Sequence, residues 1–241
     1  MRCSAEIKVW TFETISSPEA SYRRWLDDAE QERAPKFARA SDRTAFVVTR
    51  ANLRRLLANE IGISPSDLRF RYTALGKPLL STPCQGLGVD FSVSHTAGFS
   101  AIALARNCAL GVDVECLHAV PDLIGIASQV FHASVAARLR ALPPPDRDAT
   151  FLRCWTAGEA LGKATGHGIA GLGGRFPIVL DGSYEPVIAP DWQPDLRVQW
   201  RLERLDVGPG YIATLACESD GELPFVRRMP NDVLCHATGM R

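Results

Sequence analysis

The sequence predicts a fold that mixes helices and strands, and three observations carry that reading. Helix-then-strand patterning occurs twice, once before and once after about residue 110. The 241 residues are 46% hydrophobic, enough to build a core for one large domain or two modest ones. No Pro-, Gly- or Ser-rich linker divides the chain into independent pieces.

The elements follow in order. Val9–Phe12 is a short first strand. Residues 18–37 read as helical, with Ser17 as the cap before Pro18 at the first helical position. A longer helix is predicted from Asp42 to Ile61. There Phe46, Val47, Leu53, Leu56 and Leu57 recur at helical spacing, and Gly62 stops it. Strands are expected at Leu68–Tyr72, Phe91–His95, Phe99–Ala105 and Gly111–Glu115, with a turn at Gly76-Lys77-Pro78. Ile124–Phe131 and Val135–Leu142 are helical and separated by a cap-like Ser134. Pro143-Pro144-Pro145-Asp146 is a break, and Asp148–Thr165 is one helix closed by Gly166. Phe176–Leu180, Leu196–Leu205 and Tyr211–Cys217 complete the strands, and the last stretch mixes charge, Pro and Gly as a tail. The division expected is an N-terminal half over residues 1–110, a C-terminal half over 111–225 and a tail over 226–241.

Composition narrows the function classes. Lys plus Arg and Asp plus Glu are 27 each, so no global charge bias points to nucleic acid or a membrane surface. Charge is uneven locally. Arg33, Lys36, Arg39, Arg43, Arg50, Arg54 and Arg55 face only Asp42 across residues 33–55, a pattern that suits either a polyanion site or a solvated helix face. Seven cysteines without a C-x-x-C pair give neither zinc spacing nor a disulfide framework. No signal sequence or membrane span is visible, and a cytoplasmic protein is expected.

The chemistry lies in three acids and a lysine. Strand alternation puts Asp113 and Glu115 on one face, with Val112 and Val114 on the other. Glu159 and Lys163 share a helix face four residues apart. Two carboxylates from a strand and one from a helix suit a hard divalent cation that also takes phosphate oxygens. Surface acids and a surface ion pair would give the same pattern.

The two blocks together carry a resemblance. Gly111-Val112-Asp113-Val114-Glu115 precedes Trp155-Thr156-Ala157-Gly158-Glu159-Ala160-Leu161-Gly162-Lys163 by 39 residues. This is similar to the paired signature of the 4′-phosphopantetheinyl transferases of the larger, single-chain surfactin-synthetase-activator type. Glu32-Arg33 to Phe37 with Arg43, Gly76-Lys77-Pro78, Phe91-Ser92-Val93-Ser94-His95-Thr96 and Asp206–Tyr211 resemble further family motifs in the same order.

The resemblance implies an α+β fold of two similar halves in a pseudo-twofold arrangement, each a small antiparallel sheet packed with helices. Coenzyme A would lie between the halves. The activity implied is transfer of phosphopantetheine from coenzyme A to a serine of an apo acyl or peptidyl carrier protein, releasing adenosine 3′,5′-bisphosphate. Asp113, Glu115 and Glu159 would be Mg²⁺ ligands, with Mn²⁺ also suited to oxygen donors. Glu159 would alternatively, or in addition, deprotonate the acceptor serine. Lys163 would contact the pyrophosphate. Ser94 and His95 would hold the 3′-phosphate end, with Arg33, Arg43 and Lys77 nearby. A monomer is implied by analogy, and Leu117–Leu142 with Arg138 and Arg140 is expected to receive the carrier. Three positions depart from the pattern: Gly158 replaces a lysine, Val135 a glutamate, and Glu30 an early lysine. Two other functions use the same residues: a coenzyme A- or carrier-binding module without catalysis, and a metal-dependent nucleotide pyrophosphatase.

Overall fold

The computed structural model describes residues 6–14, 19–74, 76–82, 84–192, 198–219 and 225–229. The first strand, β1 (Glu6–Glu13), alternates Ile7 and Val9 against Trp10 and Phe12 on opposite faces, all buried. The helix expected over 18–37 is instead broken into α1 (Glu19–Arg23), α2 (Asp28–Arg33) and a 3₁₀ turn at Ala34–Lys36. The break comes from Asp27. Its carboxylate accepts the Glu30 amide at 2.9 Å while Glu30 accepts the Asp27 amide at 3.2 Å, a reciprocal cap that starts a new helix. The expected cap at Ser17 lies outside the described residues.

The next helix, α3 (Ala40–Ile61), ends where Gly62 takes φ +80°, a left-handed conformation that favours glycine. Strands β2 (Phe70–Tyr72) and β3 (Pro78–Leu80) form a hairpin across the Gly76-Lys77 turn. Then come β4 (Val89–Thr96), β5 (Phe99–Arg106) and β6 (Leu110–Cys116). Helices α4 (Leu123–Val130) and α5 (Ala133–Ala141) follow, and α5 is capped by His132 rather than Ser134. The His132 ring accepts the Ser134 amide, so the helix starts earlier than expected. Helix α6 (Pro144–Thr165) begins inside the proline run, because proline suits the first helical turn, where its missing N–H has no intrahelical partner. After α7 (Gly168–Gly171) come β7 (Ile178–Leu180), β8 (Pro186–Ile188), β9 (Gln199–Leu205), β10 (Tyr211–Ser219) and β11 (Phe225–Arg228).

The two larger sheets are ordered β11-β1-β5-β4 and β6-β10-β9, and β2-β3 and β7-β8 form two-stranded hairpins. The connectivity repeats: in each half a strand leads to helices, a short hairpin and two further strands, and the last of these pairs beside the first. Strand β11 crosses back to the first sheet and runs parallel to β1.

Alternation assigns the layers. Ile7, Val9, Phe99, Ala101 and Ala103 of one sheet share a core with Val112, Val114, Ala213 and Leu215 of the other, so the sheets pack face to face. The outer face of the first sheet carries Trp10, Phe12, Ile102 and Leu104 against α3. The outer face of the second meets α6, where Cys154, Ala157, Ala160 and Leu161 are buried. Glycine makes that contact close. A Cβ on Gly111 would lie 2.0 Å from the Ala160 carbonyl oxygen and 2.5 Å from the Ala164 nitrogen. With no side chain at 111, β6 lies against α6 and its outward residues, Asp113 and Glu115, come up beside the helix.

The edges of the two sheets, β4 and β6, are joined by side chains. The amides of Val112, Val114 and Cys116 donate to Ser92 Oγ (3.0 Å), Ser94 Oγ (3.3 Å) and Thr96 Oγ1 (3.2 Å), always 20 residues back. The alternating Ser-x-Ser-x-Thr of β4 thus satisfies the free edge of β6, which would otherwise bury unpaired N–H groups.

Candidate active site

Asp113 sits at this seam and is 5% exposed. Its Oδ1 accepts Ser94 Oγ at 2.7 Å and Lys163 Nζ at 2.7 Å. Its Oδ2 is buried and has no hydrogen-bond partner. A buried carboxylate oxygen without a donor is costly and points to a missing positive group. Glu115, one step along the same face, accepts Thr96 Oγ1 at 3.2 Å. Burial, and then the Asp113 charge, raises its carboxyl above the ordinary value. Glu159 on α6 is raised by the same two causes in the same order. Two glutamates raised by burial and by the Asp113 charge mark a cluster short of positive charge.

Lys163 supplies part of it. Its ammonium donates to Asp113 Oδ1, to the Val112 carbonyl at 3.2 Å and to the Val93 carbonyl at 3.5 Å. An ammonium has three donors, and here all three span the β4–β6 seam. Lys77 lies next to it, its Nζ donating to the Lys163 carbonyl at 2.6 Å. Burial, opposed by Asp90 and reinforced by Lys163, lowers the Lys77 pKa.

Lys77, Lys163 and Glu159 line one cleft of about 430 Å³ between the halves. Its walls include Pro78, Phe91 and Val93 from the first half and Ile169 from the second. A mainly apolar cleft with a few charged groups at its edge suits a cofactor-sized anion with an organic arm.

The remaining expected residues are more scattered. Ser94 is buried, and its hydroxyl is engaged by Asp113 and the Val114 amide rather than turned to solvent. His95, the next residue, is exposed. Desolvation by the surrounding chain, and then the Lys163 cation, lower its pKa against the pull of Asp42 and Asp113. Arg33 is exposed and lies over the Phe46 ring at 5.3 Å. Arg43 pairs with Glu19 at 3.2 Å. The cationic stretch is not all surface: Arg54 is fully buried and pairs with Glu30 and Asp27, and Arg50 pairs with Glu30. The glutamate that departs from the lysine pattern at position 30 is therefore an internal counter-ion. Among the described residues, no three His, Cys, Asp or Glu side chains lie close enough to hold a metal ion unaided.

The comparisons with known proteins decide the family. A model of the 4′-phosphopantetheinyl transferase superfamily matches residues 109–216. A model of the 4′-phosphopantetheinyl transferase N-terminal region matches residues 16–107. The 4′-phosphopantetheinyl transferase HetI of Nostoc sp. is 32% identical over 172 residues, 70% of this chain and 72% of that relative. The chain belongs to the 4′-phosphopantetheinyl transferase superfamily. An L-aminoadipate-semialdehyde dehydrogenase-phosphopantetheinyl transferase of Eremothecium gossypii is 34% identical over 161 residues, 60% of this chain and 57% of that relative. The 4′-phosphopantetheinyl transferase pptA of Paxillus involutus is 25% identical over 244 residues, 91% of this chain and 90% of that relative. The family and the mixed α+β fold expected from the motifs are borne out.

Within this transferase fold, Gly158 has a packing explanation. A Cβ there would lie 2.4 Å from Cγ of Phe176, so the position turns toward the core of the second half and the phenyl ring fills it. Nothing in the local pattern shows that Phe176 answers Gly158, because 17 residues lie between them. The sequence did display Ser92 and Thr96, whose spacing on a strand puts them on the face of Ser94. Only the position of β6 shows what they bind.

Proposed function

We propose that this chain transfers 4′-phosphopantetheine from coenzyme A to a serine hydroxyl of an apo acyl or peptidyl carrier protein. The observation that carries the proposal is the orphaned Oδ2 of Asp113 beside Lys163, at the edge of an interhalf cleft.

In this reaction the serine oxygen attacks the β-phosphorus of coenzyme A. One P–O bond forms, the bridging P–O bond breaks, and adenosine 3′,5′-bisphosphate leaves with the electron pair. Glu159, whose carboxyl is raised above its ordinary value by burial and then by the Asp113 charge, takes the serine proton. The pyrophosphate competes for Lys163, drawing the ammonium from Asp113 and placing its charge where negative charge builds up. Asp113, Glu115 and Glu159 fit a divalent cation: one has an unpartnered oxygen, and the other two are raised above their ordinary values by burial and then by the Asp113 charge. Magnesium takes one or two carboxylates and completes its shell with phosphate oxygens and water, so three converging protein ligands are not required. When bound, Mg²⁺ or Mn²⁺ would neutralise the pyrophosphate as the leaving oxygen departs.

We assign His95, Arg33 and Arg43 to the 3′-phosphate, the first two exposed and Arg43 half-buried against Glu19, with Lys77 toward the cleft. In the carrier-facing segment Leu117–Leu142, Arg138 is engaged by the Asp181 carbonyl at 2.6 Å and the Tyr184 ring at 4.3 Å. Arg140 is exposed and is the better candidate for an acidic carrier helix. A cytoplasmic monomer is the setting we propose. No described helix is long and apolar enough to cross a membrane.

The test is incubation with coenzyme A, an apo carrier and Mg²⁺, with intact-mass detection. A gain of about 340 Da on the carrier, as group transfer requires, that vanishes with EDTA is expected. Coenzyme A cleavage without an acceptor would favour the pyrophosphatase reading. Coenzyme A binding with no gain on any carrier would favour a non-catalytic module.

A further inference from the structure

We infer that Ser94 and Thr96 are positioning residues for the two strand carboxylates, fixing which oxygen of Asp113 and of Glu115 is offered to a cation. The inference rests on the cation reading above and adds the device that orients it.

A hydroxyl has one proton. The Val114 amide donates to Ser94 Oγ at 3.3 Å, which occupies a lone pair and leaves the proton for Asp113 Oδ1, 2.7 Å away. The Cys116 amide donates to Thr96 Oγ1 at 3.2 Å, and Thr96 in turn donates to Glu115 at 3.2 Å. The same construction therefore occurs twice, two residues apart. Each hydroxyl accepts the amide that follows an acid and donates to that acid. One oxygen of each carboxylate is tied down, and at Asp113 the other is left buried and without a partner. Partners that hold metal-ligating carboxylates in this way set ligand orientation as much as the ligands themselves.

The strand contains its own control. Ser92 accepts the Val112 amide at 3.0 Å, so it takes part in the same seam. The residue preceding Val112, however, is Gly111, which has no carboxylate to orient. Ser92 is the member of the series with no acid to orient, and a seam role and a positioning role can be separated by comparing it with Ser94.

The experiment titrates Mn²⁺ into wild-type protein, Ser92→Ala, Ser94→Ala, Ser94→Thr and Thr96→Val. Coenzyme A is present throughout. The free Mn²⁺ paramagnetic signal is followed, and denaturation midpoints are taken on the same samples. Ser94→Ala and Thr96→Val should weaken Mn²⁺ binding about tenfold, the scale of outer-shell partners. Ser92→Ala should lower the midpoint without changing Mn²⁺ affinity, and Ser94→Thr should keep most of it. Unchanged affinity in Ser94→Ala, alongside wild-type binding, would overturn this inference alone. Wild-type protein that takes up no Mn²⁺ would overturn the cation reading and this inference with it.

Discussion

The Lys163 ammonium lies 2.7 Å from Asp113 Oδ1, and the Asp113 side chain is 7% exposed, so the pair is a cation held against an almost buried carboxylate. The same ammonium reaches carbonyls on both β4 and β6. One residue therefore closes the seam and neutralises the acid. Removing either partner leaves the other unbalanced. Lys163→Met and Asp113→Asn should each destabilise the ligand-free protein, and the double substitution should be less harmful than the sum. A coupling of about 1 kcal/mol is expected for contacting charges of which one is partly solvated. Denaturant titration of the four proteins measures it. Turnover of Lys163→Met should fall by about 100-fold or more, the cost of losing a donor at developing charge.

Gly111 is the hinge of a second prediction. Gly111→Ala places a methyl group 2.0 Å from the Ala160 carbonyl oxygen. Helix and strand must separate, and overpacking of this kind costs about 1–3 kcal/mol. Asp113 and Glu115 move away from Glu159 with β6, so transferase activity should drop more than the denaturation midpoint implies. Activity measured well below the midpoint distinguishes the two effects.

Restoring the family lysine should fail by itself. Gly158→Lys drives its Cβ to 2.4 Å from the Phe176 ring, within a core that also includes Phe131 and Trp155. The expected outcome is lower stability and no gain in turnover. Adding Phe176→Ala should recover part of the stability, because it opens the volume that a lysine stem would fill. Melting temperatures of the single and double variants test this directly.

His95 gives the pH prediction. Its ligand-free pKa is lowered, so the neutral ring is the folded form near neutrality. Folding stability from this residue is therefore present above the unfolded value and falls as pH drops through about 6.5. A phosphate beside the ring reverses the shift, since the dianion favours the imidazolium. Coenzyme A binding should take up a proton at His95, and KM for coenzyme A should rise as pH rises from about 6 to about 8. His95→Gln should flatten that dependence and raise KM at the acid end. A loss confined to kcat would assign His95 to the chemistry instead of to anchoring.

The legible parts of the molecule were those governed by local rules. Gly62 and Gly166 closed their helices because a left-handed residue ends the hydrogen-bond ladder, and both do so with positive φ. Strand alternation put Asp113 and Glu115 on one face, which is how they emerge beside α6. The helical pattern over residues 18–37 does not reveal the break within it, because a single reciprocal cap at Asp27 starts a new helix between segments that both favour helix. Strand β11 was unreadable as a partner of β1, because nothing in a four-residue segment records which distant edge it will join.

The sequence by itself determined the family, the two helices that end at glycine, and the acids and lysine that carry the proposed chemistry, since these depend on residue type and short spacing. Tertiary structure decided the rest. It settled that Glu30 is a buried counter-ion, that Gly158 is matched by Phe176, and that Lys163 and a ladder of hydroxyls bind two sheet edges together. These are contacts between residues far apart in the chain. Their energies arise from burial and from donors and acceptors that must be paired once water is gone, and only a packed structure fixes which groups those are.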